Sequence, residues 1–268
     1  MPASEPSGRA GRPLLVYNIA VTELVFRKEY TVHTYETDSR GLSKPVALMN
    51  YLQDSAGEHA GRLGVSVLDL LKRDMTWVLS RYRVLIRRYP ELGERLEVVT
   101  WPSGKRGFFA VRDFEVSDAS GGPVLSATSS WMVVDLRNKQ TVKVDEVVSA
   151  DYALDQRALD DPFPSLPVLA IRQSEARFRV EAGHLDWNRH VNNAVYVQWA
   201  LEAVPPEVLL KRRPVDIEVS YRAEALYGEG VLSVAQSVPE SGAGTVFLHQ
   251  ILNAATGVEL ARLRTRWD

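Results

Sequence analysis

Hydrophobic and polar positions change rhythm several times along this chain, and each change predicts an element. The segment FRKEYTVHTYE (26–36) alternates in part and is rich in β-formers, which predicts a strand. In KPVALMNYLQDSAGEHAGRLG (44–64), Leu48, Leu52, Ala56, Ala60 and Leu63 recur at helical spacing. Pro45 suits the first turn of that helix and Gly64 its end. Four β-rich runs follow, at 76–89, 94–103, 107–118 and 123–136, separated by Gly, Pro and Ser clusters. Residues 145–172 break the pattern with three prolines and many acids, and read as a linker with one helical turn. The first order then returns: a strand at 175–186, a helix in NNAVYVQWALEAVP (192–205), and strands near 215–227, 230–238, 244–253 and 258–267.

The return is an internal repeat. Asp38 and Asp186 both follow a strand and precede a helix, 148 residues apart, and at that offset Asp54 falls on Glu202, late in each helix. SDASGGPVLSATSSW, ending at Trp131, resembles NAATGVELARLRTRW, ending at Trp267, with one residue deleted. Both helices are strongly apolar, so each needs a curved antiparallel sheet wrapped around it to cover its faces. The expected fold is therefore α+β, with two tandem hotdog domains. Their expected limits are 14–150 and 173–268, with a disordered tail at 1–13 and a linker at 151–172.

Composition narrows the chemistry. The 268 residues are 45% hydrophobic and 25% charged, ordinary for a globular protein. A net charge of −2 gives no general argument for nucleic acid. There are no cysteines, so disulfides, thiolate metal sites and a cysteine nucleophile are excluded. No apolar run approaches the ~20 residues of a membrane span, and the leader MPASEPSGRAGRP lacks the apolar core of a secretory signal. A cytoplasmic location is expected.

The densest polar chemistry lies in HLDWNRHVNNAVYVQWALE (184–202). Asp186, Asn188 and His190 are spaced by two, so an extended loop projects them to one side. Asn192 or Asn193 is a good N-cap. In the helix that follows, Gln198 and Glu202 are the polar positions and share one face. The loop thus delivers a carboxylate, an amide and an imidazole beside a helix N-terminus, where free N–H groups favour an oxyanion. A plain capped turn, in which Asp and Asn satisfy their own backbone, accounts for the same residues. A metal site of His184, Asp186 and His190 matches no familiar ligand spacing. No G-x-S-x-G elbow marks a nucleophilic serine.

These residues resemble a known family. LDWNRHVNNAVYVQWALEAVP is similar to the signature segment of the acyl-acyl carrier protein thioesterases, tandem-hotdog enzymes of plants and bacteria. The resemblance extends through YLQDSAGEHAGRLG, WVLSRYRVLIRRYP, TWPSG, VRDFEV and SSWMVVD, from about Phe26 to Trp267. It implies catalytic roles for Asp186, Asn188 and His190, and for Glu224 in the EVSYRAEAL context, thirty-four residues after His190. Plant members commonly carry a cysteine after that Glu; here the position is Ala225. Without a long plastid-targeting leader, a bacterial-type member is expected.

The resemblance implies hydrolysis of fatty acyl thioesters on acyl carrier protein by direct activation of water, with no metal and no organic cofactor. It places the acyl chain in the first hotdog, around Met49, Leu52 and Ala56. The expected partner is acyl carrier protein, with RYRVLIRRY (81–89), Lys105–Arg106 and Lys211–Arg213 as candidate docking charges; a homodimer is compatible. Three other classes remain open: a hotdog thioesterase acting on coenzyme A thioesters, a hotdog hydratase, and a non-catalytic acyl-binding protein.

Overall fold

The computed structural model describes residues 21–149, 151–186, 188–239 and 244–268; the tail expected at 1–13 lies outside them. After a 3-10 turn at Val21–Leu24 comes β1 (Phe26–Thr31), which stops short of the expected strand because His33–Glu36 closes into a 3-10 turn. Helix α1 (Pro45–Arg62) follows, with Pro45 at its start and Gly64, at φ +67°, just past its end. A short α2 (Val67–Leu71), not foreseen from the pattern, precedes β2 (Met75–Ile86), β3 (Arg95–Arg106), β4 (Phe109–Asp118), β5 (Pro123–Asp135) and the two-residue β6 (Thr141–Val142). The second half runs β7 (Ser174–Arg179), α3 (Asn193–Glu202), α4 (Pro206–Leu209), β8 (Pro214–Tyr221), β9 (Gly230–Val238), β10 (Thr245–Asn253) and β11 (Glu259–Trp267).

All the strands join one antiparallel sheet in the order β1-β3-β4-β5-β2-β8-β11-β10-β9-β7, with β6 beside β5. The order is two copies of one pattern, joined back to back through equivalent strands β2 and β8. Each half wraps its own helix, which makes a tandem hotdog. At the seam Arg83 faces Glu218, Arg81 faces Ser220 and Leu85 faces Asp216, as a local two-fold requires.

Side-chain alternation assigns the two faces of the sheet. Tyr82, Val84, Phe114, Ile217 and Val219 point to the helices and build one core with Leu48, Leu52, Trp199 and Ala200. Their neighbours point the other way and are mostly charged, Arg81, Arg83, Asp113, Glu115, Asp216 and Glu218 among them. Residues 151–172, expected as a linker, pack across this outer face. The carboxylate of Asp113, fully buried, accepts from Arg157 Nε at 3.0 Å and from the Ala158 N–H at 2.7 Å. Asp161 pairs with Arg83 at 3.0 Å, and the Leu166 carbonyl accepts from Arg262 at 2.9 Å. The linker therefore ties both halves at the seam. Its one helical turn falls just before it, at Val144–Glu146.

The two helices differ in length. At the 148-residue offset α3 ends where α1 has reached Asp54, and α1 continues for two more turns to Arg62. Asp54 is thus mid-helix, not late in it.

Candidate active site

The loop between Leu185 and Val191 is closed by a β-bridge between those two residues. Inside it the Asp186 carboxylate turns inward: Oδ1 accepts from the Asn188 N–H at 2.8 Å and from the His190 N–H at 3.1 Å. The backbone N–H of Asp186 bonds the His190 carbonyl at 2.8 Å. Arg189 sits between at φ +66°, a left-handed conformation that costs a non-glycine residue ~1 kcal/mol or more. The reversal presents the side chains of Asn188 and His190 to one cleft. Asp186 shapes the loop, so the capped-turn account of that residue is correct alongside any chemical role.

Glu224 arrives from the other direction. The strand expected to run to 227 ends at Tyr221, and Glu224 lies on the connection after it. Arg222 N–H and Ala223 N–H both donate to the Leu260 carbonyl, at 2.9 and 3.1 Å. Ala225 N–H donates to Tyr196 Oη at 3.0 Å, and Tyr221 Oη donates to the Asn193 carbonyl at 3.0 Å. The two tyrosines meet edge to face, so one aromatic pair fixes both the start of α3 and the segment bearing Glu224. Burial pushes the Tyr196 phenol up to about 12 and the Tyr221 phenol well above its usual value, so both stay protonated across the physiological range. Sequence reasoning missed Tyr196, whose hydroxyl is hidden in an apolar stretch; Gln198, one of the polar positions it singled out there, faces solvent. Ala225, the position where plant members carry cysteine, is fully buried in the core.

His190 Nε2 stands 3.9 Å from Glu224 Oε2, and both side chains are about half exposed, at 46% and 58%. That separation is too long for a direct hydrogen bond and suits two groups that share one water. At the helix start, Asn192 Oδ1 accepts from the Ala194 N–H at 2.9 Å, and the Asn192 carbonyl accepts from the Val195 N–H at 2.9 Å. These caps use two of the helix-start donors expected to face an oxyanion and leave the Asn193 N–H. His184 does not join the site: its Nδ1 accepts from the Glu181 N–H, and its ring stands edge-on to Trp199. Among the described residues no three His, Asp or Glu side chains are grouped to hold a metal.

Asn188, His190 and Glu224 open into a cleft of about 800 Å³ that continues into the first half, between α1 and the ends of β2, β4 and β5. Ala56, Gly57, Trp77, Leu79 and Trp131 line it there. Of the three residues expected around the acyl chain, Ala56 lines the cleft, whereas Met49 and Leu52 are closed in the core. Deeper along α1, buried His59 donates through Nε2 to the Glu23 carbonyl at 2.8 Å and accepts at Nδ1 from Arg112 at 2.9 Å. Burial, then the Arg112 charge, push the His59 pKa down to about 4.

Of the basic segments, Arg83 is engaged by Asp161 and Asp216, Arg88 by Glu94 and Asp118, Lys105 by Asp145 and Arg213 by Asp38. Their charges are spent within the fold.

Fold and site together define a tandem hotdog in which one copy carries the polar loop and both copies wall the cleft. The chain belongs to the acyl-ACP thioesterase family: residues 23–152 match the model of the family's N-terminal domain and residues 170–268 that of its C-terminal domain. Over 91% of its length it is 32% identical to the chloroplastic acyl-[acyl-carrier-protein] hydrolase FATB2 of Cuphea viscosissima, and covers 63% of that protein. Over 95% of its length it is 31% identical to the chloroplastic palmitoyl-acyl carrier protein thioesterase of Cuphea hookeriana, and covers 65% of it. The chain thus spans just under two thirds of the length of these relatives. The 12:0-ACP thioesterase from Umbellularia californica has the same fold, with a TM-score of 0.81 at 27% identity, covering 91% of this chain and 94% of that one. Among the described residues no helix is long and apolar enough to cross a membrane.

Proposed function

We propose that this chain hydrolyses fatty acyl thioesters carried on acyl carrier protein, releasing a free fatty acid and the carrier's thiol. The observation that carries the reading is the Glu224–His190 pair, 3.9 Å apart at the mouth of a cleft deep enough for an acyl chain. Glu224 takes a proton from a water whose oxygen attacks the thioester carbonyl carbon. The carbonyl becomes an oxyanion, stabilised at the start of α3. Collapse re-forms the carbonyl and breaks the carbon–sulfur bond, and the leaving thiolate recovers a proton from the site. His190 and Asn188 hold the water and the carbonyl in register, and Asp186 keeps both on one wall by bonding their backbone. The first half supplies the acyl cleft and the second half the chemistry.

The carrier is the partner this reading requires, and Arg87, Arg106, Lys211 and Arg212, all exposed, are docking charges that remain from the candidate segments. A homodimer is a further expectation, supported by the sheet's two outer strands, β1 and β7, each of which pairs on one side; sedimentation tests it. We place the reaction in the cytoplasm, since a chain without cysteine makes no use of an oxidising compartment; fractionation of the producing cells tests that.

The decisive experiment is thiol release from acyl carrier protein thioesters of graded chain length, with coenzyme A thioesters run alongside. Carrier thioesters should react faster, and salt should narrow the difference, because exposed charges are screened over ~8–10 Å. Equal rates on both donors at low salt would assign the enzyme to coenzyme A thioesters.

A further inference from the structure

We infer that Asn50, on α1 of the first half, donates a hydrogen bond to the thioester carbonyl oxygen, so that the site is assembled from both copies. The inference rests on the hydrolytic reading above and adds to it a residue from the half assigned to chain binding.

The steps are local. Asn50 lines the same cleft as Asn188, His190 and Glu224. The Asn192 amide is fixed in orientation, because its Oδ1 caps α3 by accepting from the Ala194 N–H. Its Nδ2 therefore points outward, and it donates to Asn50 Oδ1 at 3.4 Å. That contact fixes Asn50 in turn: its oxygen faces Asn192, and its Nδ2 is left as a donor on the cleft wall. Meanwhile the Ala194 and Val195 N–H groups are consumed by Asn192, leaving the Asn193 N–H at the helix start. One N–H is half of the usual donor pair for an oxyanion. Asn50 Nδ2, tied to the cap residue that precedes Asn193, supplies the other half.

The repeat gives an internal contrast. At the 148-residue offset Asn50 corresponds to Gln198 on α3, which is exposed and does not line the cleft. In the first copy the cap position matching Asn192 is Lys44, which makes no side-chain cap. The amide-to-amide contact exists on one side of the molecule.

The test compares wild type with Asn50→Asp, Asn50→Ala and Gln198→Asp on one carrier thioester, reading kcat, KM and melting temperature separately. Asp matches Asn in shape but, ionised, offers acceptors only. Both Asn50 variants should lose about 10²-fold in kcat, the scale of one oxyanion donor, with KM within about twofold and melting unchanged; Gln198→Asp should match wild type. A ketone analogue of the thioester with a labelled carbonyl should show a lowered carbonyl stretch in wild type that recovers in Asn50→Ala. If Asn50→Ala keeps kcat within about twofold, or loses only melting temperature or KM, Asn50 serves packing alone and the inference is wrong. Absence of hydrolysis by wild type itself would overturn the reading of the reaction instead.

Discussion

The loops at 37–43 and 185–191 share one backbone and differ in what they present. In each, an aspartate N–H bonds the carbonyl four residues on, and its Oδ1 accepts from the N–H groups two and four residues on. In each, the residue three after the aspartate is left-handed, Gly41 at φ +73° and Arg189 at φ +66°. The side chains diverge: Arg40 stands for Asn188 and Leu42 for His190. From the second strand of each copy onward the offset becomes 135, as the left-handed pair Gly93 and Gly228 shows, and Glu224 then matches Tyr89. In the first copy that tyrosine is buried, and the Arg213 guanidinium lies 4.7 Å over its ring while pairing with Asp38 at 2.5 Å. Arg213 in turn matches Val78, which lines the open cleft. Even the hairpin tryptophans follow suit: each donates to a hydroxyl two residues back, yet Trp131 walls the cleft and Trp267 is sealed in the core. Two equivalent hollows thus have opposite fates, one open with titratable groups at its mouth, the other plugged by an arginine on a tyrosine. The capped backbone loop is a scaffold common to both copies, and what differs is the few side chains mounted on it.

The largest predicted contrast sets Glu224 against Tyr89. Glu224→Gln and His190→Ala should each lower turnover by ~10²–10⁴-fold with little effect on melting. Tyr89→Phe should leave turnover within about twofold and cost about 1 kcal/mol, for the lost bond to the Pro214 carbonyl. Rates and melting curves on the same preparations check both.

Next comes acid, because each half buries a histidine. Burial lowers the pKa of His59 to about 4 and that of His249, under α3, to about 3. Both are neutral when folded and regain an ordinary pKa of ~6.5 when unfolded, so the unfolded chain binds more protons in between. Stability should therefore fall as pH drops below about 6.5, by about 3 kcal/mol from His59 alone by pH 4, and continue falling toward pH 3 through His249. Denaturant titrations from pH 7 to 3.5 read this slope; a flat profile would mean that neither histidine stays neutral in the fold.

The matched aspartates give a smaller difference. Asp186→Asn should slow turnover about tenfold, because weaker hydrogen bonds to two loop N–H groups loosen the wall that positions His190. Asp38→Asn should keep turnover and lose about 1 kcal/mol with its Arg213 pair. Loss of activity in the Asp38 variant alone would put the chemistry in the wrong copy. The smallest effect is expected at Gly57, in the part of α1 that has no counterpart in α3. A Cβ there meets nothing within 4 Å, so Gly57→Ala should stabilise by up to ~1 kcal/mol and, by narrowing the cleft, shift kcat/KM toward shorter acyl chains.

Much of this was legible from the sequence because it is local. Helical spacing between Pro45 and Gly64 marks α1, and Asp-x-Asn-x-His ahead of an asparagine cap marks the loop. The 148-residue repeat predicts two copies, and the substitutions Arg40 and Leu42 already mark the first as lacking the loop chemistry. What escaped depends on contacts between distant segments. Glu224 has no local signature and came from family resemblance; Tyr196, Asn50 and the Arg213–Tyr89 plug become meaningful only once the seam brings the halves together. The strand ends were overrun at Thr31 and Tyr221 because β-rich composition continues past the point where pairing stops.

The seam itself carries a consequence for how such a chain is made. On the two-fold, Arg83 faces Glu218, and their charges are completed by Asp161, Asp216 and Arg264. If each half were a separate polypeptide, self-association would place arginine opposite arginine or glutamate opposite glutamate, and like charges directly across a strand pair repel. Only the mixed pair is electrostatically matched. The fused chain has thus become two obligate, non-identical subunits that happen to share a peptide backbone, and cutting it in the linker should yield fragments that recognise each other in preference to themselves.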